Sequence, residues 1–149
     1  MTRMLSLTVL TVLAFSSTAA AQEMGQGSAH ITTRSDVRMS LESVPGTSAT
    51  RLQMLGRAVG AGMGAIRECY GTVVEQRPTV TGTLRMRVAL AERGAPEIEV
   101  VQDGPSDREL LRCISGVITR QPMADVSRPA GAIVVLEFQN TAAAGAAET

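Results

Sequence analysis

Thr81 to Val101 reads TGTLRMRVALAERGAPEIEVV. Leu84, Met86, Val88 and Leu90 recur at every second residue, with Arg85 and Arg87 between them. A period of two marks a strand that buries one face. Glu92-Arg93-Gly94-Ala95-Pro96 supplies a turn, after which Ile98 and Val100 alternate with Glu97 and Glu99. The two runs are expected to form an antiparallel hairpin with both apolar rows on one side. On the other side arginines face glutamates, which favours that register by a few tenths of a kcal/mol per pair. These carboxylates read as a solvated charged face and not as a catalytic pair.

On the N-terminal side of the hairpin the period becomes helical. Leu52, Leu55, Val59, Met63, Ile66, Tyr70 and Val73 fall three or four apart, which predicts one long helix from Thr50 to Gln76. Ser48 or Thr50 can cap its start, and Pro78 follows its end. Gly56, Gly60, Gly62 and Gly64 oppose this, since each costs about 1 kcal/mol relative to Ala inside a helix. Gly56, Gly60 and Gly64 share one face, which suits close approach to a sheet or a helix contact in an oligomer. On the C-terminal side, Ser106-Asp107-Arg108-Glu109 has the form of a capping box, Ser106 at the N-cap and Glu109 three residues on. A second helix is expected from there to Gln121, with Leu110, Ile114 and Val117 inward.

Ala132 to Phe138 (AIVVLEF) reads as a last strand. Val134, Leu136 and Phe138 line one face, while Ile133, Val135 and Glu137 line the other. The second face carries two apolar residues that a three-stranded sheet with both helices on one side leaves bare. Ile133, Val135 and Glu137 are therefore the candidate partner-binding edge, open to strand addition. The competing expectation is that Val37, Met39 and Leu41, which alternate with Arg38 and Ser40, cover that face from within. The fold class is α+β: a small antiparallel sheet of about three strands, with a fourth available from the N-terminal segment, and two helices packed on one face.

The chain opens as an exported one. Arg3 precedes an apolar run from Met4 to Phe15, and Ala19-Ala20-Ala21 offers a cleavage site before Gln22. The run is shorter than the about 20 residues a membrane span needs. Residues 1–21 are thus expected to be a cleaved signal peptide, giving a periplasmic or secreted protein with no stable span. Residues 22–49 form a leader that holds the possible strand, 50–140 the folded domain and 141–149 an Ala-rich disordered tail. Cys69 and Cys113 are the only two cysteines, and each sits at the edge of an apolar helix stripe. An oxidising compartment and an even count favour a disulfide between them. Their helix positions turn both toward the interior. A reactive thiol pair is the alternative, although the spacing is unlike C-x-x-C.

Ala65-Ile66-Arg67-Glu68-Cys69-Tyr70, Thr81 to Val88, Gly94, Leu110-Leu111-Arg112-Cys113-Ile114, Pro129 and Phe138 together resemble the AgmX/PglI C-terminal domain. That family is a TonB-like module of exported proteins, and the resemblance spans about Leu52 to Gln139. It implies a small sheet with two helices on one face and is consistent with the Cys69–Cys113 pairing. Gln121-Pro122-Met123 stands where the family carries an aromatic-Phe-Pro run. The chain also lacks the long Pro-rich spacer of an energy-transducing TonB, so transduction is not carried over.

The remaining chemistry is sparse. All 14 basic residues are Arg, against 14 acidic ones, so there is no basic field to attract nucleic acid. Trp is absent, and His30 is the only histidine. Ser115 stands in no G-x-S-x-G elbow, and the Gly56–Gly64 cluster carries no G-K-[ST]. The sequence thus leads to a non-enzymatic envelope binding or assembly module, without cofactor or metal. Its expected partner is an envelope protein or peptide, or a second copy in a homodimer. A thiol-redox or envelope-stress protein, or a structural subunit of an envelope or motility complex, is the alternative.

Overall fold

The computed structural model describes residues Ser35–Thr141. The predicted signal peptide, most of the predicted leader with His30, and the tail after Thr141 lie outside the described residues. In chain order the elements are β1 (Ser35–Ser43), α1 (Ala49–Gly60), α2 (Met63–Gln76), β2 (Gly82–Leu90), β3 (Glu97–Asp103), α3 (Arg108–Thr119) and β4 (Ala130–Asn140). The strands make one antiparallel sheet in the order β1-β4-β2-β3. The α+β class is as the sequence predicts, and the N-terminal segment, which the sequence leaves open as a possible fourth strand, adds β1 to the sheet.

The period-two row of β2 is buried as expected: Leu84, Met86, Val88 and Leu90 face the helices. Val134, Leu136 and Phe138 of β4 lie on the same side, as does Val37 of β1, opposite Phe138 in register. Leu55, Val59, Ile66, Tyr70, Val73, Leu110, Ile114 and Ile118 close the core from above. Tyr70 is fully buried, yet its hydroxyl is satisfied: it donates to the Val80 carbonyl at 2.7 Å. Its ring lies 4.9 Å from that of Phe138 at a 49° tilt, an arrangement aromatic pairs favour. Burial pushes the Tyr70 phenol above its ordinary pKa.

The single long helix predicted over Thr50–Gln76 is two helices, so the domain has three helices instead of two. Around Gly60-Ala61-Gly62 the ladder tightens, with Gly62 N–H donating to Val59 at 2.9 Å. The cause is local. A Cβ on Gly62 would come within 2.8 Å of Gln121 Nε2 and 3.0 Å of Val117 Cγ1, so α3 packs where a side chain would stand. Gly56 and Gly60 lie against Leu41 and Met39 of β1, while Gly64 faces open space. The small-residue face is therefore a helix-on-sheet contact over two of its three glycines.

The cap of α3 also differs from expectation. Asp107, not Ser106, is the N-cap, and its Oδ1 accepts from the N–H groups of Glu109 and Leu110 at 3.1 and 2.9 Å. Ser106 is held back in the turn at φ 51°, with its N–H and hydroxyl donating to Asp103. A carboxylate at this position also meets Arg77 at the end of α2, Nε to Oδ2 2.8 Å. Ser106 could not make that link. At the first helix Ser48 caps as predicted, accepting from Arg51 N–H.

Candidate functional site

The face predicted to bind a partner is present, but it is not at an edge. Ile133, Val135 and Glu137 all point away from the helices. β4, however, is paired on both sides: with β1 from Ser35–Asn140 to Ser43–Ala132, and with β2 from Gly82–Phe138 to Leu90–Ala130. Its backbone groups are therefore committed, and β4 offers no free edge to a partner strand. Two separate hydrophobic rows explain this. Val37, Met39 and Leu41 stand opposite Phe138, Leu136 and Val134, so β1 adds edgewise and sends its apolar row to the core. It does not cover Ile133 and Val135.

Arg85 does the covering. In register it lies beside Val135, which in turn lies beside Ser40 of β1. The Arg85 guanidinium reaches across β4 and donates to the Glu42 carboxylate of β1. With its stem laid on the sheet, the Arg85 side chain is 32% exposed and Val135 only 7%. Long cationic side chains commonly shield apolar surface in this way while keeping the charged end at the surface. The predicted pairing of two Arg with two Glu across the hairpin holds for Arg87 and Glu99, at 3.9 Å. The second glutamate, Glu97, lies opposite Ala89, and Arg85 stands opposite Gln102 across a register shift between Arg85 and Met86.

That shift shapes the exposed edge. Met86 pairs with Val100 and Arg85 with Gln102, leaving Val101 as the extra residue of a bulge. Val100 and Val101 are the large apolar residues left exposed among the described residues, at 41% and 46%. β3 ends the sheet, and no strand pairs with its outer side among the described residues. Glu97 and Glu99 are exposed on the same strand. The opposite edge, β1, is different: Met39 and Leu41 are half-buried against α1. The sequence signal for this site is the doublet Val100-Val101, which breaks an otherwise regular alternation.

Cys69 of α2 and Cys113 of α3 form the expected disulfide, with Cα atoms 5.9 Å apart and 44 residues of separation. The expectation that both face the interior holds for only one of them. Cys69 is 6% exposed, whereas Cys113 is on the exposed flank of its helix. The bond floors a groove of about 310 Å³ between the two helices, with Glu68, Thr72, Glu109 and Arg120 at its rim. The Thr72 hydroxyl is already used, donating to the Glu68 carbonyl. Beside the groove, Arg77 pairs with Asp107 and, at 2.8 Å, with Glu109. The Asp107 carboxyl is held below its usual range by the Leu110 N–H and, next among the stabilising contacts, by the Arg77 charge. The hydrogen bond to Glu109 leads the contacts that raise the Arg77 pKa. These charges serve the helix junction and are spent on each other.

Among the described residues no three metal-ligating side chains cluster, and no helix is long and apolar enough to cross a membrane. Comparison with family models, with curated proteins and with solved structures finds no match.

Proposed function

We propose that this chain is a non-enzymatic binding or assembly module of the cell envelope, exported through its N-terminal signal and stapled by Cys69–Cys113. It takes up an extended segment of a partner at the outer side of β3. The supporting observation is the sheet order: β3 is an edge that keeps Val100 and Val101 in solvent. Main-chain groups of such an edge supply affinity, and alternate side chains supply selection. The TonB-like resemblance and the disulfide are in keeping with an exported module, since disulfides persist in oxidising compartments.

Site-specific photocrosslinking in cells tests the reading. A photoreactive residue at Val101 is expected to give a discrete adduct, and one at Ile133 none. Adducts at Ile133 alone, or at neither position, would contradict it. A thiol-exchange role is the second reading, favoured by the exposure of Cys113 in a groove. Rapid alkylation of both cysteines in untreated cells would favour that role, because a structural disulfide stays oxidised there.

A further inference from the structure

We infer that the β3 edge selects a cationic partner: an extended segment in which arginine or lysine alternates with apolar residues. This rests on the strand-addition reading and adds the chemistry of the occupant. β3 reads Glu97-Ile98-Glu99-Val100-Val101-Gln102-Asp103, with three carboxylates and no cation. Glu97 and Glu99 stand opposite Ala89 and Arg87 of β2, on the sheet face away from the helices. Glu99 has one partner, Arg87, at 3.9 Å with both side chains largely in solvent. Glu97 faces an alanine and forms no ion pair. Ile98 and Val100 stand opposite Val88 and Met86, on the helix side.

A strand laid along this edge meets two environments that alternate with its own pleat. Side chains at one parity fall beside Glu97 and Glu99, and those at the other beside Ile98 and Val100. Opposite charges directly across a strand pair are favourable, and like charges are not. Two cationic residues spaced two apart, with an apolar residue between them, fit both rows.

The same charges disfavour a second copy of this strand. An antiparallel pair of β3 strands would bring carboxylates from both copies, and no cation, to the shared edge. Edge charges of this kind are a common guard against self-pairing. Between a second copy and a basic segment, charge complementarity selects the basic one.

The test uses the intact oxidised protein and three fluorescent nine-residue peptides, in which Val alternates with Arg, with Thr or with Glu. Fluorescence anisotropy at low ionic strength is expected to rank Arg over Thr over Glu, with the Arg peptide roughly tenfold tighter than the Thr peptide. Added salt should erase that gap. The double variant Glu97→Gln, Glu99→Gln should bring the Arg peptide to the affinity of the Thr peptide and leave the Thr peptide unchanged. Equal binding of the Arg and Thr peptides to the unmodified protein would overturn charge selection while leaving strand addition standing. An Arg preference that survives the double variant would also overturn it. Failure of all three peptides to bind, or binding that Val101→Asp leaves untouched, would overturn the strand-addition reading and this inference with it.

Discussion

Arg85 carries more of the open sheet face than its charge suggests. Its ion pair with Glu42 is only partly buried and is worth at most about 1 kcal/mol. Its stem, however, keeps Val135 dry. Arg85→Ala is expected to cost about 1–2 kcal/mol in urea unfolding, more than Glu42→Gln, because packing is lost along with charge. Equal losses from the two variants would mean that the ion pair alone matters. Val135→Lys should likewise destabilise the fold by about 2 kcal/mol, since it places a second cation beside Arg85 at a buried position. Asp107 works through pH. Its folded pKa lies below the ordinary value of 3.8, so its contribution is complete well above that value and is lost as pH falls through the folded pKa. Asp107→Ala should therefore cost about 1 kcal/mol near neutrality. The two proteins should converge in stability as acid titration passes below pH 3.8. A difference that stays constant with pH would show that the cap acts through geometry alone.

Among the elements, the glycines separate by what stands opposite them. Gly64 faces open space, so Gly64→Ala should stabilise α2 by roughly 0.5–1 kcal/mol. A Cβ at Gly60 would lie 3.6 Å from Met39 Cε, so Ala fits there, but Gly60→Leu overpacks the contact with β1 and should cost about 1–3 kcal/mol. Calorimetry on the two variants should move the melting temperature in opposite directions. Movement in the same direction would contradict the placement of α1 on β1. This is also where legibility from the sequence is uneven. The β2 alternation, the Ser48 cap and the apolar stripe through Tyr70 are local patterns, and they appear as read. The break at Gly60–Gly62 was visible only as a run of poor helix formers, since the contact that settles it comes from Val117 and Gln121, far along the chain. Strand order is non-local too. Nothing within Ala132–Phe138 reveals that β1 and β2 occupy both of its sides, so from sequence alone this interior strand resembles an edge.

At the scale of the whole molecule, one covalent link joins the layer of helices. The disulfide closes 44 residues and constrains the unfolded chain by about 4 kcal/mol in the chain-entropy treatment. Protein recovered from its own compartment should show no free thiol by mass, and Cys69→Ser should lower the melting temperature by many degrees. The pairing was legible because two cysteines on two helix stripes leave one partner each. The exposure of Cys113 was not, because the tilt of α3 over the sheet depends on the full packing. Partner uptake at β3 requires that β3, and not β4, be a free edge of the sheet. Amide hydrogen exchange of the free, oxidised protein reads this directly, residue by residue. The amides of Val134 to Phe138 should exchange only on global unfolding, while every second amide of Ile98 to Gln102 should exchange orders of magnitude faster. Uniform protection along β3, or rapid alternate exchange along β4, would contradict that strand order.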